Sequence, residues 1–180
     1  MDRNIIFFDV ETNGKIGSSV LSISAIKVNY NFEKNEWTKV SEYNRFYFRN
    51  EGEPIDFGAV NVHGLTDEVI SSRRQGTNYP LTFKEDIDSF FLYCQDTNHF
   101  VAHNIKFDRS FIPFPLKNQF DTMLENIEVL KLPGKFEGSY KWPKLMECIE
   151  HYKIPYEEKN LHGSYYDVLM TFRLFYKMSK

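Results

Sequence analysis

The sequence predicts an α/β domain in which a mixed β-sheet is covered by helices on both faces. Segments with strand character come first, and strand and helix patterns alternate in the second half of the chain. Short, turn-rich links between the first three strands indicate an antiparallel meander. A length of 180 residues with 42% apolar content suits one core. We therefore expect a single domain over residues 1–180.

Three strands are predicted in the first part of the chain. Residues 4–10 form an apolar run that ends in acidic side chains, as expected of a buried strand that reaches the edge of a sheet. Leu21, Ile23 and Ala25 alternate with serines, which predicts a second strand. Residues 43–48 fit a third.

The most secure helix follows. Thr82 and Glu85 have the spacing of a capping box, and residues 83–94 carry apolar side chains at intervals of three or four. Residues 100–102 then predict a short buried strand, and residues 108–112 predict the start of a brief helix.

The C-terminal third predicts two more helices. Residues 120–131 fit a strand or a helix, and residues 131–141, with two glycines, form the least regular stretch and the best candidate for a mobile loop. Pro143 suits the first turn of a helix that stops before Pro155, and the last helix begins at about Ser164.

The charge balance and the two cysteines limit the kinds of site that the chain can form. The chain has 22 basic and 25 acidic side chains, so its net charge of −3 provides no broad basic field for polyanions. If nucleic acid binds, metal ions and a local patch must neutralise the phosphates. Cys94 and Cys148 both lie on apolar helix faces and predict reduced core thiols, rather than a disulfide or a zinc site.

The N-terminal apolar run is too short for a signal peptide or a membrane span. We therefore expect a cytoplasmic protein without membrane association.

Two acids at the end of the first strand are the most informative feature of the chain. Because strand side chains alternate, Asp9 and Glu11 project from the same face and repel each other unless a cation lies between them. Hard oxygen ligands favour Mg²⁺ or Mn²⁺ over zinc. The alternative is an edge strand that turns at Asn13 and Gly14 and leaves both acids solvated.

Three further segments combine acids or histidines with a predicted break in structure. They are His63-Gly64-Leu65-Thr66, His103-Asn104-Ile105-Lys106-Phe107-Asp108, and His162 followed by Asp167. Each has a structural alternative. The two earlier histidines would be structural groups whose ring nitrogens are hydrogen-bonded. Asp108 would be an acid favoured near the start of a helix, and Asp167 would complete a capping box with Ser164.

In order and content these segments resemble the DEDDh 3′-to-5′ exonucleases, the RNase T-like family that includes the proofreading subunit of bacterial replicative DNA polymerase. The resemblance covers essentially the whole chain and implies an RNase H-like mixed five-stranded sheet flanked by helices on both faces. The matching runs are Phe8-Asp9-Val10-Glu11-Thr12-Asn13-Gly14, Ala102-His103-Asn104-Ile105-Lys106-Phe107-Asp108, and His162 with four residues before Asp167.

The resemblance also implies a site with two divalent ions, Mg²⁺ or Mn²⁺. Asp9 would bridge both ions, Glu11 and Asp167 would bind the ion that activates water, and Asp108 would support the second ion. His162 would be the general base, because an imidazole titrates near neutrality.

The implied substrate is single-stranded DNA or RNA with a free 3′ end. Thr12, His63, Gly64 and Leu65 would line the pocket for the terminal nucleotide, Asn104 would also contact substrate, and Phe107 would stack near the scissile nucleotide. Core packing is the alternative for Phe107 and Leu65. Further phosphate contacts would come from surface cations, although scattered lysines are usually only solvated: Lys106, Arg109, Lys135, Lys141 and Lys144.

Two other functions stay open at this stage. One is a catalytically silent nucleic-acid-binding module of a repair or polymerase complex, and the other is a two-metal endonuclease of the RNase H-like group. Association with a polymerase is possible but nothing indicates it, and the oligomeric state and the preference for DNA or RNA stay undetermined. Tyr165 and Tyr166 depart from the alanine-rich third motif of the family and would either narrow the site or add stacking.

Overall fold

One five-stranded sheet forms the centre of the computed structural model, which describes residues 2–157 and 163–180. The strands are β1 (Asp2–Thr12), β2 (Val20–Asn31), β3 (Glu36–Phe46), β4 (His99–Ala102) and β5 (Asn118–Asp121). Their order is β3-β2-β1-β4-β5, with the first three antiparallel and the pairs β1-β4 and β4-β5 parallel. The predicted mixed sheet and its antiparallel meander are confirmed.

The described residues also form eight helices, none of which is both long enough and apolar enough to cross a bilayer. They are α1 (Phe57–His63), α2 (Asp67–Arg73), α3 (Phe83–Cys94), α4 (Ile105–Arg109), α5 (Thr122–Glu125), α6 (Ile127–Leu130), α7 (Leu145–His151) and α8 (Ser164–Met178).

The structure differs from the sequence predictions at several points. The third strand, predicted for residues 43–48, starts earlier at Glu36, where the exposed side chains show no apolar alternation. The brief helix predicted from residue 108 begins instead at Ile105, because Asn104 adopts a left-handed conformation (φ 70°) that ends the preceding strand. Helices α1 and α2 were not predicted at all.

The predicted helices of the core are present. In α3 the Glu85 carboxylate accepts hydrogen bonds from the backbone N–H and the hydroxyl of Thr82. Helix α7 ends at His151, before Pro155, as predicted, but it begins at Leu145 with Lys144 as the N-cap residue. Pro143 therefore precedes the helix and does not lie in its first turn. Cys94 and Cys148 are buried free thiols, and burial raises the pKa of each to about 12.

Strand β1 is covered on both faces. Ile6 and Phe8 belong to a core that includes residues of α3, whereas Phe7 points to the opposite face. There its ring packs edge-on against Phe172 and Phe175 of α8, with ring centroids 5.2 and 5.3 Å apart. Helix α8 therefore covers the face from which the odd-numbered residues of β1 project.

Candidate active site

The end of β1 carries Asp9 and Glu11 on the face that α8 covers. In the antiparallel register Asp9 lies opposite Ser24 and Glu11 lies opposite Ser22 of β2. On the other side, β1 pairs with β4 only at Ile6 and Phe7. The sheet therefore opens just before the two acids.

Asp108 is brought to β1 by α4. Its Oδ1 atom accepts a hydrogen bond of 3.1 Å from the backbone N–H of Val10, and the residue is only 3% exposed. Because β4 no longer pairs with β1 at this point, the carboxylate satisfies a strand N–H that would otherwise be buried without a partner. An acid from the middle of the chain thus lies next to the N-terminal pair.

Asp167 lies in the first turn of α8. Its carboxylate and those of Asp9 and Glu11 offer ligand atoms that all lie within 4.8 Å of one another. The alternative in which Asp167 completes a capping box with Ser164 is wrong, because the N-cap residue is Gly163 and no side chain caps the helix.

The Ser164 hydroxyl instead fixes the start of α8 on the sheet. It forms hydrogen bonds of 2.7 Å with Ser24 and 2.9 Å with Ser22, the two serines opposite the acids of β1. All three hydroxyl groups are buried. This serine cluster positions Asp167 relative to Asp9 and Glu11.

We expect Ser164→Ala to lower the free energy of unfolding by about 1–2 kcal/mol, because two buried hydroxyls lose a partner. Ser179→Ala is the matched control, since the Ser179 hydroxyl bonds only to the Tyr176 carbonyl at the exposed end of the same helix. Urea unfolding of both variants measures the difference. Equal effects of the two substitutions would show that the serine cluster does not hold α8.

The acids repel one another strongly. Burial and the charges of Asp108, Glu11 and Asp167 hold the pKa of Asp9 well above its usual value. Burial, followed by the charges of Asp167 and Asp108, raises the pKa of Glu11 to about 8. Burial also raises the pKa of Asp108 to about 8, with a contribution from Asp121. The cluster therefore holds protons at neutral pH unless a cation replaces them.

The donor atoms fit a divalent cation. The Oδ2 atom of Asp9 is buried, and the described residues offer it no hydrogen-bond donor. A buried carboxylate oxygen without a partner is costly, and a bound cation removes that cost. An all-carboxylate set of hard oxygens is the donor type that Mg²⁺ and Mn²⁺ prefer.

A cavity of about 470 Å³ opens beside Glu11. This volume is within the usual range of ligand sites. Of the residues predicted to bind substrate, His63, Gly64 and Leu65 line it. Sequence reasoning missed the rest of this wall, to which β3 and α2 contribute Asn44, Phe46, Val69 and Arg73.

His63 holds this wall against β1. Its Nδ1 atom accepts a hydrogen bond of 2.9 Å from the Leu65 N–H, so the ring proton lies on Nε2 and is donated to the Thr12 carbonyl at 3.1 Å. Burial lowers the pKa of His63 and favours this neutral form. Gly64 ends α1 in a left-handed conformation (φ 70°) that side chains disfavour.

Other predicted substrate-binding residues do not line the cavity. The Thr12 hydroxyl donates within its own turn, to the Gly14 carbonyl at 2.7 Å. Asn104 is held through its backbone N–H, and Phe107 is half-buried against the core. Contact of these three residues with substrate stays a prediction.

The predicted base, His162, lies outside the described residues. The next residue, Gly163, lines the cavity.

The two tyrosines of the third motif form part of the cavity wall. The Tyr165 hydroxyl donates to Glu42 at 2.6 Å and accepts from Lys39 at 3.1 Å, so β3 holds it. The Tyr166 hydroxyl accepts from the Glu157 N–H at 2.7 Å. The bulky side chains are therefore fixed by the fold and shape the cavity.

Asp121 is a neighbour of the site that received no role from the sequence. Its Oδ1 atom accepts from the N–H groups of Asn104, Met123 and Leu124 at 2.9–3.3 Å. The carboxylate thereby caps α5 and ties it to the turn before α4, which carries Asp108. The sequence feature that could have indicated this role is an acidic residue at the end of a short strand.

Comparison with known proteins points to one family. The RNase T family profile, described as exonuclease, matches residues 6–175. No curated protein shows significant sequence similarity to the chain.

Solved structures of exonucleases share the fold. Exonuclease X in complex with 5′ overhanging duplex DNA has a TM-score of 0.64 at 20% identity, over 97% of this chain and 91% of that chain. Cell-death related nuclease 4 has a TM-score of 0.66 at 13% identity, over 98% of this chain and 63% of that chain. E. coli exonuclease I in complex with a dA16 oligonucleotide has a TM-score of 0.71 at 13% identity, over 98% of this chain and 41% of that chain. The chain thus spans less than half the length of exonuclease I.

Proposed function

This chain belongs to the exonuclease family, and we propose that it removes nucleoside 5′-monophosphates from the 3′ end of single-stranded DNA or RNA. The observation that carries the proposal is the group formed by Asp9, Glu11 and Asp167, whose ligand atoms lie within 4.8 Å of one another. Asp108 is adjacent, bonded to the backbone of Val10 between the first two acids. The DNA bound to exonuclease X and to exonuclease I supports a nucleic-acid substrate.

The four carboxylates would hold two divalent ions. Asp9, between the other acids, would contact both ions, with Glu11 and Asp167 on one and Asp108 on the second. Such ions would lower the pKa of a bound water and neutralise charge on the leaving oxygen. The protein's part is to fix the carboxylates: all are largely buried, Asp108 accepts a hydrogen bond from the Val10 N–H, and the bonds of Ser164 to Ser22 and Ser24 hold the helix that carries Asp167.

His162 would take the proton from the attacking water. An imidazole is suited to this task because its ordinary pKa lies near neutrality. The proposal is supported by its sequence position next to Gly163, which lines the cavity, and five residues before Asp167.

The cavity beside Glu11 would accept the terminal nucleotide. His63, Gly64 and Leu65 line it together with Tyr165 and Tyr166. Such a pocket reads the end of a strand by shape and stacking rather than by sequence.

A 5′-labelled single strand tests the proposal. With Mg²⁺ or Mn²⁺, the label should appear in a ladder of progressively shortened products, because hydrolysis proceeds from the 3′ end. A circular single strand of the same sequence should stay intact. Release of labelled mononucleotide at once, cutting of the circle, or no products from folded protein on either DNA or RNA would each contradict the proposed activity.

A further inference from the structure

An exposed hairpin, residues 131–144, connects α6 and α7. Its two arms are joined by an antiparallel bridge between Pro133 and Tyr140, and the Gly134 N–H donates to the Ser139 carbonyl at 2.8 Å. The stretch predicted as an irregular loop therefore has a paired backbone. We refer to it as the aromatic-lysine hairpin.

The hairpin presents aromatic rings to solvent. Phe136, Trp142 and Tyr140 are 74%, 63% and 40% exposed, although large aromatic side chains usually bury most of their surface in a folded domain. None of the three rings belongs to the hydrophobic cores on either face of the sheet. Three exposed rings on one short hairpin indicate a surface for a flat, apolar partner group.

The same hairpin carries positive charge. It contains four lysines against the single acid Glu137, a balance of 4 − 1 = +3 in a chain whose total charge is −3. Lys141 is paired with Glu147 of α7, and with this acid included the balance is 4 − 2 = +2. The Lys135 ammonium lies 6.0 Å from the centre of the Phe136 ring, so ring and cation belong to one surface. This combination is complementary to a polyanion with stacked bases.

The base of the hairpin is fixed to the helices that carry two of the acids. The Pro143 carbonyl is hydrogen-bonded to His103 Nε2 at 3.0 Å, and His103 lies just before α4, the helix of Asp108. The Lys144 N–H donates to Glu147 in α7, which packs against α8, the helix of Asp167. The C-terminal end of the hairpin is thus hydrogen-bonded next to the helices that carry Asp108 and Asp167.

We propose that the aromatic-lysine hairpin binds the single-stranded nucleic acid several nucleotides from the end that the catalytic site holds. Bases stack on Phe136 and Trp142, while the ammonium groups of the exposed residues Lys131, Lys135 and Lys144 contact phosphates. That the bound strand is also the substrate rests on the proposed function. Binding of the strand to the hairpin does not itself require hydrolysis.

The test compares two double variants of identical composition. Lys135→Glu with Phe136→Ala changes the hairpin, and Lys34→Glu with Phe32→Ala changes the turn after β2. That turn adjoins the start of β1, about 20 Å or more along the strand from Asp9. Fluorescence anisotropy measures binding of a labelled strand of about 12 nucleotides without divalent ions, so that nothing is hydrolysed.

We expect the hairpin variant to raise the dissociation constant about tenfold and the turn variant to leave it unchanged. Loss of a phosphate contact should also reduce the slope of log Kd against log salt by about 0.7. Trp142→Ala provides an independent variant if the double substitution impairs folding. The proposal places the hairpin contacts several nucleotides from the reacting end, so hydrolysis of a dinucleotide should stay at the wild-type rate in all variants.

Equal dissociation constants for the hairpin and turn variants would overturn this proposal and would assign the exposed rings to another partner, such as a protein. If the wild-type protein hydrolyses no strand at all, the proposed function fails, yet the binding comparison still decides the role of the hairpin.

Discussion

Asp9→Asn is expected to lower the rate of hydrolysis about 10³-fold or more while the protein stays folded. Removal of one preorganised charge-stabilising group costs about 10²–10³ in rate, and Asp9 is proposed to contact both ions. Asparagine keeps the size of the side chain and cannot ionise, so it adds no charge to a set of acids that repel one another. In the absence of metal the variant should therefore melt at the same temperature as wild type, or higher, at pH 8.

Asp88→Asn is the matched control, because Asp88 is an exposed acid on α3 and loses the same charge. Steady-state rates on a single strand with Mn²⁺, together with melting followed by circular dichroism, measure both effects. An Asp9→Asn protein that keeps a substantial part of the wild-type rate would exclude this residue as a metal ligand.

Stabilisation by divalent metal should depend steeply on pH. The pKa values of Glu11 and Asp108 are raised to about 8 in the folded chain. The folded state therefore binds more protons than the unfolded state between about pH 4 and pH 8, and metal-free stability falls as pH rises through this window. Divalent ions require the deprotonated carboxylates and reverse the loss.

We expect Mn²⁺ at about 100 times its dissociation constant to raise the melting temperature by about 5–10 °C at pH 8. At pH 5.5 the shift should be small, because protons compete with the ion. The double variant Asp9→Asn with Glu11→Gln should show little shift at either pH. An equal Mn²⁺ shift at both pH values, or in the double variant, would mean that the ion binds elsewhere.

The acids at the end of β1 were predictable because the signal is local. Two charges spaced by two residues after an apolar run indicate one face of a strand, and the structure places Asp9 and Glu11 on the face covered by α8. The order of the motifs predicted that Asp108 and Asp167 would join them, which no local pattern around either residue shows.

The wall of the cavity was not predictable by the same means. Helix α1 has no buried residue and α2 buries only Ile70, so neither segment has the apolar periodicity by which helices are recognised. Their positions depend on tertiary contacts such as the hydrogen bond from His63 to Thr12.

The local sequence pattern also suggested a helix-capping role for Ser164 that the structure does not show. A serine three residues before an acid is a common helix start, but its hydroxyl is used by Ser22 and Ser24, more than a hundred residues away in the sequence. The competing partners lie on a strand that only the folded chain brings near, so spacing alone left the capping box open as an alternative.

The most direct test of the shared carboxylate site is an anomalous difference map from a crystal soaked with Mn²⁺ and a nucleoside 5′-monophosphate. We predict two peaks about 4 Å apart, both beside Asp9, with Glu11 and Asp167 on one and Asp108 on the other. A map with no peak among these four carboxylates, or with Mn²⁺ bound only elsewhere, would contradict the account.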